Sequence, residues 1–254
     1  MSVNGDQAVL TDRHGDVLVI TLNRPDAMNS FTGAVIEGLS NAFSQLDADQ
    51  TLKVGVVTGA GKGFCTGLDL KEFQDKGFPD GVFDLFERGA RKPLVAAVES
   101  FALAGGLEVA LLCDLIVASE GAKLGIPEVT VGLFAAAGGL LRLPGRIGAL
   151  RAAELALIGE PITAEQGLAW GLVNRVVPRG DALEQALAIA NRIARNAPLS
   201  TSASKRILRD GAGMQESEGW AFQVDIWERL LLSKDAKEGP KAFAEKRRPT
   251  WVGA

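Results

Sequence analysis

Two apolar runs in this chain each break into a glycine turn and then into a helix-like stretch. The first is KVGVVTGAGKGFCTGLDL (53–70) and the second PLVAAVESFALAGGLEVALLCD (93–114). A strand that ends in such a turn can present unpaired backbone N–H groups to an anion. Counting excludes the two familiar nucleotide loops. A Walker loop needs glycine, four residues, then Gly-Lys-Ser/Thr, whereas Gly61-Lys62 is followed by Gly63 and position 56 is Val56. A dinucleotide fingerprint needs glycines at its first, third and sixth positions. From Gly59 the sixth position is Phe64, and from Gly61 it is Thr66. Two turns of one design can instead each aim one amide at a single oxygen, the arrangement that stabilises an enolate or a tetrahedral oxyanion.

The rest of the chain supplies an α/β framework for these turns. DVLVITLN (16–23) is β-rich and stops at Arg24-Pro25, since proline has no N–H to donate to a strand ladder. In 31–47, Val35, Ile36, Leu39, Phe43 and Leu46 recur at helical spacing. Residues 71–91 show no clean period and read as a mobile flap or a short helix. LIVAS (115–119) returns as a strand, and alternating β and α elements imply an α/β core. After residue 138 the pattern turns helical. Residues 138–159 read as one helix and 163–171 as another, LVNRVV (172–177) is a brief strand, and 181–196, 199–210 and 215–233 are helical. The expected division is a core over 1–195 and a helical C-terminal region over 196–254.

Composition narrows the chemistry. With 254 residues, 47% of them hydrophobic, the chain can bury a large core, and a net charge of −4 argues against a general nucleic-acid surface. No apolar run approaches the roughly 20 residues of a membrane span. The first sixteen residues lack the basic-then-apolar order of a signal peptide, and two cysteines, Cys65 and Cys113, make no disulfide framework. A cytoplasmic setting is expected. The single histidine, His14, lies in a turn-like stretch, TDRHGD, and there is no tyrosine. Acid–base chemistry therefore falls to carboxylates and lysines.

Several segments, in order and spacing, resemble the crotonase, or enoyl-CoA hydratase/isomerase, superfamily over nearly the whole chain. GKGFCTGLDL (61–70) and ESFALAGGLEVALLCDLIVAS (99–119) are similar to its two oxyanion-hole segments. AKLGIPEVTVGL (122–133) with GGLLRLP (138–144) resembles its next signature, RPDAMNSF (24–31) its early Arg-Pro…Asn motif, and EGPKAFAEKRRPTW (238–251) the terminus of members such as crotonobetainyl-CoA hydratases. Where many members carry a Pro-Gly pair, this chain has Ala135-Ala136-Ala137-Gly138-Gly139, and Leu68 stands where many hydratases have alanine.

The resemblance implies a ββα spiral core with a helical C-terminal trimerisation region, and reversible hydration of a 2-enoyl-CoA thioester. It places the oxyanion-hole amides at Leu68 and Gly105, and the catalytic carboxylates at Glu108 and Glu128. The stretch Thr66, Gly67, Asp69 and Leu70 would face coenzyme A. Phe243 and Lys246 would cover the adenine and reach a CoA phosphate, often from a neighbouring subunit of a homotrimer or dimer of trimers. No metal or redox cofactor is implied, because coenzyme A arrives with the substrate. Plainer roles stand beside these. Glu108 and Glu128 are also what a helix N-terminus favours, Asp69 suits a cap, Lys246 a solvated face, and both cysteines the core. An isomerase of the same superfamily and a non-catalytic acyl-CoA-binding protein are the alternatives.

Overall fold

The computed structural model describes residues 7–254. Strands β1 (Val9–His14) and β2 (Val17–Leu22) form a hairpin around Gly15, with His14 paired to Val17. Helix α1 (Gly33–Ala48) leads to β3 (Val54–Gly59), which pairs parallel to β2. Two short helices follow, α2 (Leu70–Lys76) and α3 (Val82–Arg88), then β4 (Leu94–Val98) and β5 (Phe101–Leu103). After α4 (Gly105–Leu112) come β6 (Leu115–Ser119) and β7 (Lys123–Gly125). Helices α5 (Gly139–Ile147) and α6 (Ala149–Ile158) precede β8 (Ile162–Thr163), α7 (Ala164–Trp170) and β9 (Arg175–Val177). The chain ends in α8 (Ala182–Ala194), α9 (Pro198–Asp210), α10 (Glu216–Leu231) and α11 (Lys234–Ala244).

A six-stranded sheet in the order β1-β2-β3-β4-β6-β9 is parallel except for the first hairpin. Its central strands are buried on both faces, so they read as continuous apolar runs rather than alternating ones. Leu18, Ile20, Val57 and Ala96 face one cluster with the apolar stripe of α1, including Leu39 and Phe43. Val17, Val19, Val56, Val95 and Ala97 face another, which α8 closes with Ala182, Ala186, Ile189 and Ala190. Neither cluster extends past Ala194; beyond it only Ile226 and Ala242 are buried hydrophobics. Helix α9 is tied back by Lys205, whose buried ammonium lies 2.9 Å from Asp114.

The site depends on a second, smaller sheet, β5-β7-β8. Sequence patterning gives no sign of it, because strands of two or three residues are too short to show a period. Strand β1 is likewise absent from the sequence reading, since its solvent-facing residues, such as Thr11, Asp12 and Arg13, carry no apolar alternation. His14 closes that strand, and the turn itself falls at Gly15 and Asp16. The single helix expected over 138–159 is two helices, divided at Gly148 with φ of 79°. The expected flap folds as α2 and α3.

Candidate active site

The loop after β3 is fastened from both sides. Asn29 donates its side-chain amide to the carbonyls of Ala60 and Gly63, both at 2.9 Å, and Arg24 reaches Asp69 Oδ2 through both terminal nitrogens at 3.0 Å. Arg24 also donates to the Ser30 carbonyl at 2.6 Å. A bridge between Phe31 and Leu68 completes the fastening: the Phe31 amide donates to Gly67 O at 2.6 Å and the Asp69 amide to Phe31 O at 2.9 Å. In a parallel pairing of this kind the neighbours of the bridging residue make the bonds, so the N–H of Leu68 points away from Phe31.

The second turn delivers a matching amide. Strand β5 passes through Ala104, held at φ 52° and ψ −132°, whose N–H is pinned to Gly125 O on β7 at 2.8 Å. Such a conformation is costly for a residue with a Cβ and persists where its surroundings over-determine it. It starts α4 abruptly, and the first amides of a helix have no intrahelical acceptor. Among the described residues, no acceptor takes the N–H of Leu68 or that of Gly105. The two turns touch: a Cβ built on Gly67, at φ 87°, would lie 2.6 Å from Ala104 Cβ and 2.7 Å from the Gly105 nitrogen. Glycine at 67 is thus required both by its backbone conformation and by the approach of the second loop.

One turn further along α4, Glu108 is almost wholly buried. Its Oε1 accepts the Gly139 amide at 2.8 Å. Burial pushes its carboxyl up to about 7; the Gly139 hydrogen bond opposes that rise and the negative charge of Glu128 adds to it. Glu128 sits in a 3-10 turn, Pro127–Val131, and burial raises its carboxyl too. Its Oε2 is buried without a hydrogen-bond partner among the described residues. A buried, unsatisfied carboxylate oxygen is costly, and Glu128 is one of the residues that line a cavity.

That cavity, of about 340 Å³, gathers most of the residues expected from sequence: Thr66, Leu68, Leu70, Gly105, Glu108 and Glu128 all line it. Gly67 lies behind the wall, against Ala104. Asp69 is not on the wall: it caps α2 by accepting the Glu72 amide and is engaged by Arg24. Phe243 and Lys246 lie at the end of α11 and outside this cavity within one subunit, with Phe243 88% exposed. Arg24, Asn29 and Gly139 were given no role by the sequence reading. The signal for the first two was present in RPDAMNSF; for Gly139 it lay in the Gly138-Gly139 pair.

The family model described as Enoyl-CoA hydratase/isomerase matches residues 12–254. The chain belongs to the enoyl-CoA hydratase/isomerase family. Among curated members, it is 39% identical to the enoyl-CoA hydratase EchA19 of Mycobacterium tuberculosis, over 98% of each chain. It is 38% identical to the 2,3-dehydroadipyl-CoA hydratase of Escherichia coli, over 96% of this chain and 98% of that one. A crystal structure of an enoyl-CoA hydratase from Mycobacterium tuberculosis H37Rv superposes with a TM-score of 0.94 at 46% identity, covering 98% of this chain and all of the other. The α/β architecture described above is therefore the crotonase fold. Among the described residues of this family member, no helix is long and apolar enough to cross a membrane.

Proposed function

We propose that this protein is an enoyl-CoA hydratase, a hydro-lyase that adds water reversibly across the 2,3-double bond of an acyl-CoA thioester. The observation that carries the reading is the convergence on one cavity of two free amides, at Leu68 and Gly105, with two carboxyl groups raised by burial. Family membership supports it independently.

The proposed chemistry follows from charge. Attack of water on the β-carbon moves negative charge onto the thioester oxygen, where the two amides receive it. Glu108, held by the Gly139 amide, takes the proton from water. Glu128, on the wall of the same cavity, delivers one to the α-carbon. The dehydration direction reverses these roles. The step needs one carboxylate and one carboxylic acid, so the active form is the singly protonated pair, and mutual repulsion within the pair favours that state. Water and substrate balance the reaction, and coenzyme A enters only with the thioester.

The CoA moiety is assigned to the Thr66–Leu70 edge, with Phe243 and Lys246 supplied by a neighbouring subunit. Exposed Trp220, Trp227, Leu232 and Phe243 on the C-terminal helices support a homotrimer, or a dimer of trimers, because isolated subunits rarely leave so much apolar surface in water. Cytoplasmic fatty-acid or related acyl-CoA metabolism is the proposed setting. The decisive measurement is loss of conjugated-thioester absorbance on adding crotonyl-CoA. Glu108→Gln and Glu128→Gln should each lower turnover at least about 10²-fold with acyl-CoA binding retained. Binding without turnover in the unaltered protein would instead favour a non-catalytic acyl-CoA-binding role. Migration of the double bond without hydration would favour an isomerase.

A further inference from the structure

The wall of the cavity says what kind of acyl group it takes. Six phenylalanines line it, Phe31, Phe73, Phe78, Phe83, Phe86 and Phe134, together with aliphatic side chains. Apart from Glu108 and Glu128, its only polar side chains among the described residues are Thr66 and Thr130. Both hydroxyls are committed to backbone acceptors, Thr66 to Met28 O at 3.4 Å and Thr130 to Pro127 O at 2.7 Å. Among the described residues, no lysine, arginine, histidine, asparagine or glutamine faces the space. A tail bearing a carboxylate would lose its hydration and find no cation, and a hydroxylated tail would find only two threonine hydroxyls whose protons are already engaged.

Size and exposure point the same way. A methylene is close in size to a water molecule, which occupies about 30 Å³ of liquid, so a cavity of about 340 Å³ holds well more than a four-carbon acyl group. Phe78 and Phe83 stack at 5.4 Å on the α2–α3 flap. Phe83 and Phe134 remain 60% and 64% exposed. These rings are continuous with the floor that holds Glu108, and a bound apolar chain running from that floor would cover them.

We propose that the site selects 2-enoyl-CoA thioesters whose acyl tail is uncharged, apolar and extends at least four carbons beyond the double bond, with Phe78, Phe83 and Phe134 as the residues that select it. The inference rests on the hydratase reading of the same site, and affinity and turnover test the two separately.

Calorimetric titration of the full-length protein with saturated butyryl-, hexanoyl-, octanoyl- and adipyl-CoA reads the tail preference without chemistry. Each buried methylene is worth about fourfold in affinity, so octanoyl-CoA should bind at least tenfold tighter than butyryl-CoA. Adipyl-CoA should bind at least tenfold weaker than hexanoyl-CoA of equal length. Phe83→Ala should cut the octanoyl-to-butyryl ratio at least threefold, and Phe134→Ala, on the opposite element, provides a second variant should the first fail to fold. Equal affinity for octanoyl- and butyryl-CoA, or for adipyl- and hexanoyl-CoA, overturns the proposal, and ratios untouched in both variants overturn the assignment to these rings. Absence of 2-octenoyl-CoA hydration alongside the expected ratios overturns the hydratase reading and leaves the tail preference standing.

Discussion

The amide of Gly139 donates to Glu108 Oε1 at 2.8 Å, which holds one oxygen of that buried carboxyl in place. The same residue must stay small: a Cβ built at position 139 would lie 3.1 Å from both Cγ and Oε1 of Glu108. Gly139→Ala should therefore displace the carboxylate by a few tenths of an ångström. Positioned acid–base groups contribute about 10²–10⁴ to rate, and a loss of at least tenfold in kcat is expected, with acyl-CoA affinity nearly unchanged. Steady-state kinetics beside calorimetric binding would reveal the split. A fall in affinity alone would mean that the bond shapes the pocket rather than the catalyst.

Stability should carry the opposite sign at the same residue. The folded state raises the Glu108 carboxyl from its usual 4.5 to about 7. Between those values the native protein holds more protons than the unfolded chain, so stability falls as pH rises through that window. Above it, the ionised group costs on the order of 3 kcal/mol. Glu108→Gln removes that cost while keeping an acceptor for Gly139. Its melting temperature should match the parent near pH 5 and exceed it at pH 8, the gap opening between the two. A gap that does not change with pH would contradict the raised carboxyl.

Activity in the unaltered protein should follow the pair. If the singly protonated state is the active one, kcat/KM for hydration should decline on the alkaline side through an apparent value near 7 in the free enzyme. In Glu128→Gln the proton donor is gone, and the residual rate should lose that limb. A rate that climbs through neutrality and stays high would show that both carboxylates work ionised.

How far the sequence reached depended on whether a feature left a local mark. The glycine turns and the buried strands were legible, because tight turns and doubly buried strands require particular residue types wherever they occur, whereas the two glutamates were singled out only by the family resemblance. The β5-β7-β8 sheet was not, since it is made by distant segments of two or three residues. Arg24 and Asn29 could be quoted as part of a motif, but their task is visible only in space: each bridges to a loop more than thirty residues away. The apolar wall is hidden for a similar reason. Phe31, Phe78 and Phe134 lie in three separate connecting segments and meet only once the fold is complete.

Arg24 gives a direct test of that long-range fastening. It makes two hydrogen bonds to Asp69 and one to the Ser30 carbonyl, and both side chains of the ion pair are largely covered. Burial would raise the Asp69 carboxyl, but the Glu72 amide and Arg24 outweigh it and hold it below the ordinary range. Arg24→Ala strands a partly buried carboxylate, which should cost about 1–3 kcal/mol of stability. It should also lower kcat, because the loop that carries the Leu68 amide loses its clamp. Arg24→Ala with Asp69→Asn should recover part of the stability but not the turnover. Additive losses in the double variant would mean that the two residues act independently.

The sharpest contrast lies within the first loop. Leu68 contributes an amide and a side chain, and the proposed oxyanion site uses only the amide, so Leu68→Ala should keep substantial turnover while changing which acyl groups are preferred. Gly67 has no side chain, yet it should be far less replaceable. At φ 87° any Cβ is strained, and here it would also press within 2.7 Å of the Gly105 nitrogen. Gly67→Ala must therefore spread the two amides or tilt one of them. Losing a single oxyanion donor costs about 10²–10³ in kcat, and a loss in that range is expected. Protection against thermal unfolding by a saturated acyl-CoA, whose carbonyl never becomes an enolate, should weaken much less. Should Leu68→Ala prove the more damaging change, the loop would act through the bulk of that side chain, and the oxyanion assignment would have to move to other amides.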